Sequence, residues 1–236
     1  MKVSLAELRA TAPHLSVGIH AADLLRIGEE LSELDKAGVR LIHLDVMDGV
    51  FCPQMTFGPL LVQAVGDGFV KDVHLMIEDP LPKLGSFVDA GASIVTFHLE
   101  STRHPHRALQ YLAGSGVLRG VALNPGTPLG AVEPLLDDLE LVLLLAIDPG
   151  WSGQAFSPST VERIAAVRRL IGNRPVLVGV DGAITKANVG QVASLGPDLI
   201  VSGSAVFARG DTFDDARFML DAALTGWLGG KGPLGD

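Results

Sequence analysis

The chain has 236 residues, 47% of them apolar and 19% charged, so it can bury one sizeable core. Its formal net charge of −9 argues against nucleic acid or an anionic membrane as a partner. No run of about 18 apolar residues occurs, so no membrane span is expected, and Met1 to Arg9 lacks the apolar core of a signal peptide.

Short apolar runs alternate with longer amphipathic ones. Strands are expected at Leu15–Ile19, Leu41–Asp45, Val70–Leu75, Ile94–His98, Val117–Leu123, Leu141–Ile147, Val176–Val180 and Leu199–Ser202. Most are rich in Val, Ile and Leu, as strands buried on both faces are. Helical patterns separate them. The stretch Ser157–Ile171 has a capping Ser157 and Pro158 at the first helical position. Val161, Ile164, Val167 and Leu170 or Ile171 would form its apolar face. Eight β-then-α units predict a parallel sheet with helical crossovers, closed into a single (β/α)8 TIM barrel. No linker or domain boundary interrupts residues 1–236. Residues 226–236 are glycine-rich without periodicity and are expected to form a loose tail. The single cysteine, Cys52, excludes an internal disulfide and fits a reducing cytoplasm.

In such a barrel the active site lies at the C-terminal ends of the strands. Strand 2 ends with His43 and Asp45, which period two places on one face. Strand 3 ends with His74 and strand 7 with Asp181. Two imidazoles and two carboxylates converging there would suit Zn, Mn, Fe or Co. Each residue alone also fits a cap or a hydrogen-bonded core position.

Three glycine-rich turns follow strands 6, 7 and 8: Asp148-Pro149-Gly150-Trp151-Ser152-Gly153-Gln154, Asp181-Gly182-Ala183 and Ser202-Gly203-Ser204-Ala205. Turns after strands 7 and 8 commonly hold phosphate, through close backbone N–H groups aided by a helix N-terminus. They also fit ordinary strand-to-helix turns. Met47 and Met76 either cover substrate carbons or pack the core. No lysine ends a strand as a Schiff-base aldolase requires. A D-x-K-x-x-D pattern and a serine or cysteine nucleophile elbow are also missing.

From Val17 to Phe207 the chain resembles the ribulose-phosphate 3-epimerase family. The resemblance is carried by His43-Leu-Asp-Val-Met-Asp-Gly-Val-Phe-Cys-Pro53, Asp72-Val-His-Leu-Met76, Thr96-Phe-His-Leu-Glu100, Asn124-Pro-Gly-Thr-Pro128, Asp148-Pro-Gly-Trp-Ser-Gly-Gln154, Val180-Asp-Gly182 and Gly203-Ser-Ala205. It implies a ribulose-phosphate-binding barrel in which His43, Asp45, His74 and Asp181 ligate one divalent metal ion, and Asp45 and Asp181 are the acid/base catalysts. His74, Met47 and Met76 would meet the substrate. Gly150, Trp151, Ser152, Gly153, Gly182, Ala183, Gly203 and Ser204 would surround the phosphate. A ketose phosphate substrate and a homo-oligomer, dimer or hexamer, are implied with them.

Several positions depart from the family pattern. Its first strand reads S-x-L-S-A-D, and the first Ser touches substrate. Gly18-Ile19-His20-Ala21-Ala22-Asp23 stands there, with Ser16 on the same face as a partial substitute. Asp148 replaces Asn, Ala183 a Gly, Gln54 an Asn, Ser152 a Gly and Leu145 a Met. The Asp148-Pro-Gly form also resembles allulose-6-phosphate 3-epimerase. The alternatives are therefore a 3-epimerase of another ketose phosphate, such as D-allulose 6-phosphate or a tetrulose phosphate, a metal-assisted lyase or isomerase, and a paralogue that binds sugar phosphate without turnover. Pentose phosphate metabolism is the expected setting, with a dedicated sugar catabolic route as the rival.

Overall fold

Eight strands close, in sequence order, into one parallel barrel. They are β1 His14–Gly18, β2 Leu41–Met47, β3 Val70–Met76, β4 Ile94–His98, β5 Leu118–Leu123, β6 Leu141–Leu145, β7 Leu177–Asp181 and β8 Leu199–Ser202. The computed structural model describes residues 3–151, 153–207 and 211–230. Helices α1 Leu5–Ala10, α2 Ile27–Lys36, α3 Pro59–Ala64, α4 Leu84–Asp89, α5 Pro105–Ala113, α6 Ser159–Ile171, α7 Val189–Ser194 and α8 Thr212–Gly230 complete the fold.

Period two along each strand sorts the side chains. Ile42, Leu44 and Val46 of β2, with Val73 and Leu75 of β3, face outward into the apolar layer under the helices. Leu41, Val70, Ile94, Leu141, Leu177 and Leu199 face inward and fill the lower barrel. Leu8 of α1 packs into that inner cluster and is 3% exposed. The helix is short but has a full capping box, Ser4 with Glu7. Burying Leu8 contributes about 2 kcal/mol by area, and the helix seals the barrel below the site. This helix lies outside the eight expected units.

Four local expectations are corrected. The β5–β6 connection is a 3₁₀ segment, Leu129–Leu135, rather than an α-helix, and Pro134 lies inside it. Helix α6 starts at Ser159, with Pro158 rather than Ser157 in the cap position and no side-chain cap. Its buried face is Thr160, Ile164, Val167 and Ile171, while Val161 is exposed. Helix α8 extends through Gly230, so residues 226–230 are helical rather than tail. Residues 231–236 lie outside the described residues.

Candidate metal and active site

At the upper end of the barrel the inward positions turn polar. The parallel register pairs His43 with Asp72 and Asp45 with His74. His43, Asp45 and His74 are buried. Asp181, from the end of β7, reaches them from across the mouth.

One donor atom from each of His43, Asp45, His74 and Asp181 lies within 4.8 Å of every other. His43 Nε2 is 3.2 Å from Asp45 Oδ1 and 3.3 Å from His74 Nδ1. His74 Nδ1 is 3.3 Å from Asp45 Oδ1 and 3.6 Å from Asp181 Oδ2. His43 Nε2 stands 4.0 Å from Asp181 Oδ2. Four donors held 2.0–2.1 Å from one tetrahedral ion would be separated by about 3.3 Å. The cluster therefore has the size and donor chemistry to hold a divalent ion.

Outer partners fix which nitrogen each imidazole presents. Asp72 Oδ2 lies 2.7 Å from His43 Nδ1 and also accepts from Ser16 Oγ at 2.9 Å. Nδ1 of His43 therefore carries the proton, and Nε2 faces the cluster. His74 Nε2 lies 2.9 Å from His98 Nε2, and His98 Nδ1 lies 3.4 Å from Glu100 Oε2. Burial pushes His98 down to about 4, so it is neutral at pH 7. Glu100 is ionised. Burial works against its charge, but His98, Thr127 and the Asn124 N–H hold it at about 2. The neutral His98 keeps its proton on Nδ1, towards Glu100. Its Nε2 accepts from His74 Nε2–H, which leaves His74 Nδ1 open to the cluster.

Electrostatics around the cluster follow the same logic. Burial opposes charge on His43, yet the Asp72 and Asp45 carboxylates raise its pKa well above the usual imidazole value. Burial also opposes charge on Asp45, but His43, His20 and His74 hold its carboxyl well below the usual range. Two imidazoles with raised affinity for protons beside two carboxylates form a site where a cation would displace protons.

A cavity of ≈ 370 Å³ opens over the cluster. His20, Asp45, Met47, Gln54, Met76, Leu145, Asp148 and Asp181 line it. Gly150, Trp151, Gly153, Gly182, Ala183, Gly203 and Ser204 line it as well. Ser152 lies outside the described residues. The structure thus brings the two aspartates and the three glycine turns to one cavity, while His43 and His74 are fully buried and do not line it, so His74 does not stand where the expected substrate contact would place it. His74 sits beneath it as part of the donor cluster. Met47 and Met76 also pack with Cys52 and Phe51. Burial pushes the Cys52 thiol up, away from a nucleophile's range.

The turns depend on backbone shape. Gly182 has φ +102, and a Cβ there would sit 2.7 Å from Ile147 Cγ1. A Cβ at Gly203 would sit 2.5 Å from the Gly18 carbonyl oxygen. Both positions require glycine. Neither turn opens into an α-helix, since α7 begins at Val189 and α8 at Thr212. Among the described residues, the expected helix N-terminus does not follow directly on either turn. No Lys or Arg lines the cavity among the described residues.

Ser16 does not substitute for the missing side chain at Gly18. Its hydroxyl is fully buried and committed to Asp72. Asp72, His98, Glu100 and His20 were not singled out as site residues from the sequence. Period two would have placed Asp72 on the face of His74. His20 stands on a 3₁₀ turn, Ile19–Ala21, where no periodicity sets its direction.

A family model described as the ribulose-phosphate 3 epimerase family matches residues 14–207. The ribulose-phosphate 3-epimerase of Bacillus subtilis (strain 168) is 42% identical, covering 82% of this chain and 91% of that protein. The chloroplastic ribulose-5-phosphate-3-epimerase of Arabidopsis thaliana is 41% identical over 84% of this chain and 72% of its own. The Escherichia coli (strain K12) ribulose-phosphate 3-epimerase is 36% identical over 84% and 90%. Among solved structures, 3-hexulose-6-phosphate synthase from Salmonella typhimurium superposes with a TM-score of 0.70 at 17% identity, covering 90% of this chain and 99% of that one. KGPDC from Streptococcus mutans gives 0.69 at 13% identity, covering 92% and 100%. These two likenesses establish the barrel and nothing finer.

Proposed function

Since this chain belongs to the ribulose-phosphate 3-epimerase family, we propose that it inverts C3 of a ketose phosphate, converting D-ribulose 5-phosphate to D-xylulose 5-phosphate. The observation that carries this reading is the pair Asp45 and Asp181. They stand on strands that are not neighbours, β2 and β7, yet their carboxylates share one donor cluster. A substrate held over that cluster would have one carboxylate near each face of C3.

Removing the C3 proton places negative charge on the C2 oxygen. A divalent ion held by His43, Asp45, His74 and Asp181 would supply Lewis-acid stabilisation of that charge. One aspartate, ionised, takes the proton from C3. The other, protonated, returns a proton to the opposite face. The two carboxyls exchange protonation states in each turnover, so no redox cofactor is consumed. Met47, Met76 and Leu145 present apolar surface to the carbons. The N–H groups at Gly150–Gly153, Gly182–Ala183 and Gly203–Ser204 would hold the phosphate, which suits a cavity lined by no Lys or Arg among the described residues.

Asp148 lines the cavity where the family pattern has Asn, which favours D-allulose 6-phosphate as the second substrate to examine. Zn, Fe, Mn and Co all suit two imidazoles and two carboxylates. The buried lone thiol of Cys52 supports a reducing cytoplasm. Exposed Leu25, Met55 and Leu60 support a homo-oligomer. No helix of the described residues is long and apolar enough to cross a membrane.

The test is proton exchange at C3 in D2O, followed by NMR, on each sugar phosphate with and without a chelator. Chelator-sensitive loss of the C3 signal from D-ribulose 5-phosphate is expected. Exchange confined to D-allulose 6-phosphate would move the substrate. No exchange on either sugar, from metal-loaded protein, would defeat the epimerase reading.

A further inference from the structure

His20 is a polar side chain of the cavity to which the scheme above gives no part. It follows β1 on the 3₁₀ turn Ile19–Ala21 and lines the cavity over the donor cluster. It also lines the adjoining groove with Leu24, Gln54, Met55 and Thr56. Its Nδ1 lies 2.6 Å from Asp45 Oδ2. An ionised carboxylate only accepts, so Nδ1–H donates. The other oxygen, Asp45 Oδ1, faces His43 Nε2 and His74 Nδ1. The two oxygens of this carboxylate thus have separate partners, and His20 alone holds the second among the described side chains.

Gly18 lies beside the same oxygen. A Cβ built there would sit 3.5 Å from Asp45 Oδ2 and 3.6 Å from His20 Nδ1, both ordinary contacts. Its φ of −75 suits any residue. A serine hydroxyl at position 18 would therefore be within reach of Oδ2 without backbone strain. Positions 18 and 20 address one acceptor, and this chain has no side chain at the first and an imidazole at the second.

We propose that His20 is a positioning residue for Asp45, supplying from the 3₁₀ turn the hydrogen bond that a hydroxyl at position 18 would supply from the end of β1. This rests on the epimerase reading and on Asp45 as one of its two acid/base groups. With Oδ1 turned into the donor cluster and Oδ2 held by the His20 N–H, the carboxylate is restrained about its terminal torsion, so its approach to C3 is set before substrate arrives. Of the two aspartates, His20 is hydrogen-bonded to Asp45, so its positioning effect falls on one face of C3.

The test compares wild type, His20→Leu, His20→Asn, His20→Gln and the double variant Gly18→Ser with His20→Leu, all at matched metal content. Rates are measured in both directions with C3-protonated and C3-deuterated substrate. His20→Leu is expected to lower kcat by roughly tenfold, the scale of a hydrogen bond to a charged group. KM should stay within about twofold. The deuterium effect should rise in the direction in which Asp45 removes the proton, and not in the other.

The amide nitrogen of Asn stands where Nδ1 stands, whereas that of Gln stands near Nε2. His20→Asn should therefore keep most activity and His20→Gln should lose it. This polar pair decides the question even if His20→Leu fails to fold. Gly18→Ser should restore most of what His20→Leu loses. Equal activity in the Asn and Gln variants, a change confined to KM, or isotope effects that rise equally in both directions would overturn the proposal. An inert wild type would overturn the epimerase reading together with this one. An active wild type with an indifferent His20→Leu would overturn this one alone.

Discussion

The two sides of the barrel mouth are built on different plans. On the side of β2, β3 and β4 the chemistry is carried by side chains, and each is held from behind. Asp72 and Ser16 stand behind His43, and His98 and Glu100 behind His74. On the side of β6, β7 and β8 the barrel interior is largely apolar, with Leu141, Leu143, Leu145, Leu177 and Val201, and apart from Asp181 at the end of β7 the mouth is a set of glycine turns. Buried charged groups need a layer of polar partners to stay oriented and solvated. Backbone N–H groups need only space and an unusual φ. One side is therefore specified by residue identity through two layers, and the other, Asp181 apart, by conformation at a few positions.

The largest effect should come from the two carboxylates that face each other across the mouth, Asp45 from the side-chain half and Asp181, the one side chain that β7 adds to the cluster. Asp45→Asn and Asp181→Asn each remove one of the two proposed acid/base groups while keeping the shape of the residue. Turnover should fall by about a thousandfold in either variant, with the circular dichroism spectrum unchanged. C3 exchange measured by NMR checks this. Near-normal exchange in either variant would end the two-acid scheme and would weaken the contrast between the halves.

Next is the layer behind. Asp72→Asn removes the charge that orients His43 and raises its basicity. Divalent-ion affinity should fall by roughly 10- to 100-fold. Competition against a metal-binding dye measures it directly. An unchanged affinity would mean that the outer layer serves folding alone.

Glu100 gives a smaller effect that depends on pH. Its folded value of about 2 lies below its ordinary 4.5. Between these values the unfolded chain takes a proton that the folded chain refuses, so stability falls as pH drops from about 4.5 to about 2. Because Glu100 is partly exposed and screened by solvent, its carboxylate contributes less than the full shift implies, on the order of 1–2 kcal/mol above that window. Glu100→Gln should therefore be less stable than wild type at pH 7, and the gap should narrow on acidification. Denaturant melts of the metal-free protein at pH 7, 4.5 and 3 follow it. A gap that is constant with pH would assign the loss to packing instead.

How much of this was legible differs between the halves for the same physical reason. The strands were readable to within a few residues, because Leu, Ile and Val runs bounded by turns leave little choice; β4 and β8 match the expected bounds. His43 and Asp45 were readable because period two is a property of a single strand. The partnership of His43 with Asp72 was not, because it depends on the register between β2 and β3. The His74–His98–Glu100 chain crosses from β3 to β4 and the turn beyond it, and was hidden in the same way. His20 was the least legible, standing on a 3₁₀ turn with no repeat to fix its direction. The 3₁₀ link Leu129–Leu135 reads as helix in the sequence because its apolar spacing is helical, although Pro134 cannot serve a long α-helix.

The smallest predicted effect tests the backbone half. Ala183 follows Gly182 in the turn after β7 and has φ +55, which an alanine adopts only at a cost. The position is held from outside, because Asn188 Nδ2 donates to the Ala183 carbonyl and Asn188 Oδ1 accepts from the Thr185 N–H. Those bonds keep the turn in shape despite its residue. Ala183→Gly should remove the strain and stabilise the protein by about 1 kcal/mol, the difference between relieved strain and the greater freedom of glycine when unfolded. For a chain of this length that is a rise in Tm of roughly 2–4 °C. KM should change by less than about twofold, because the N–H groups already point as the turn dictates. A large fall in KM with no change in Tm would show the opposite: that the methyl group of Ala183 obstructs the phosphate, and that side-chain identity matters on this half of the mouth too.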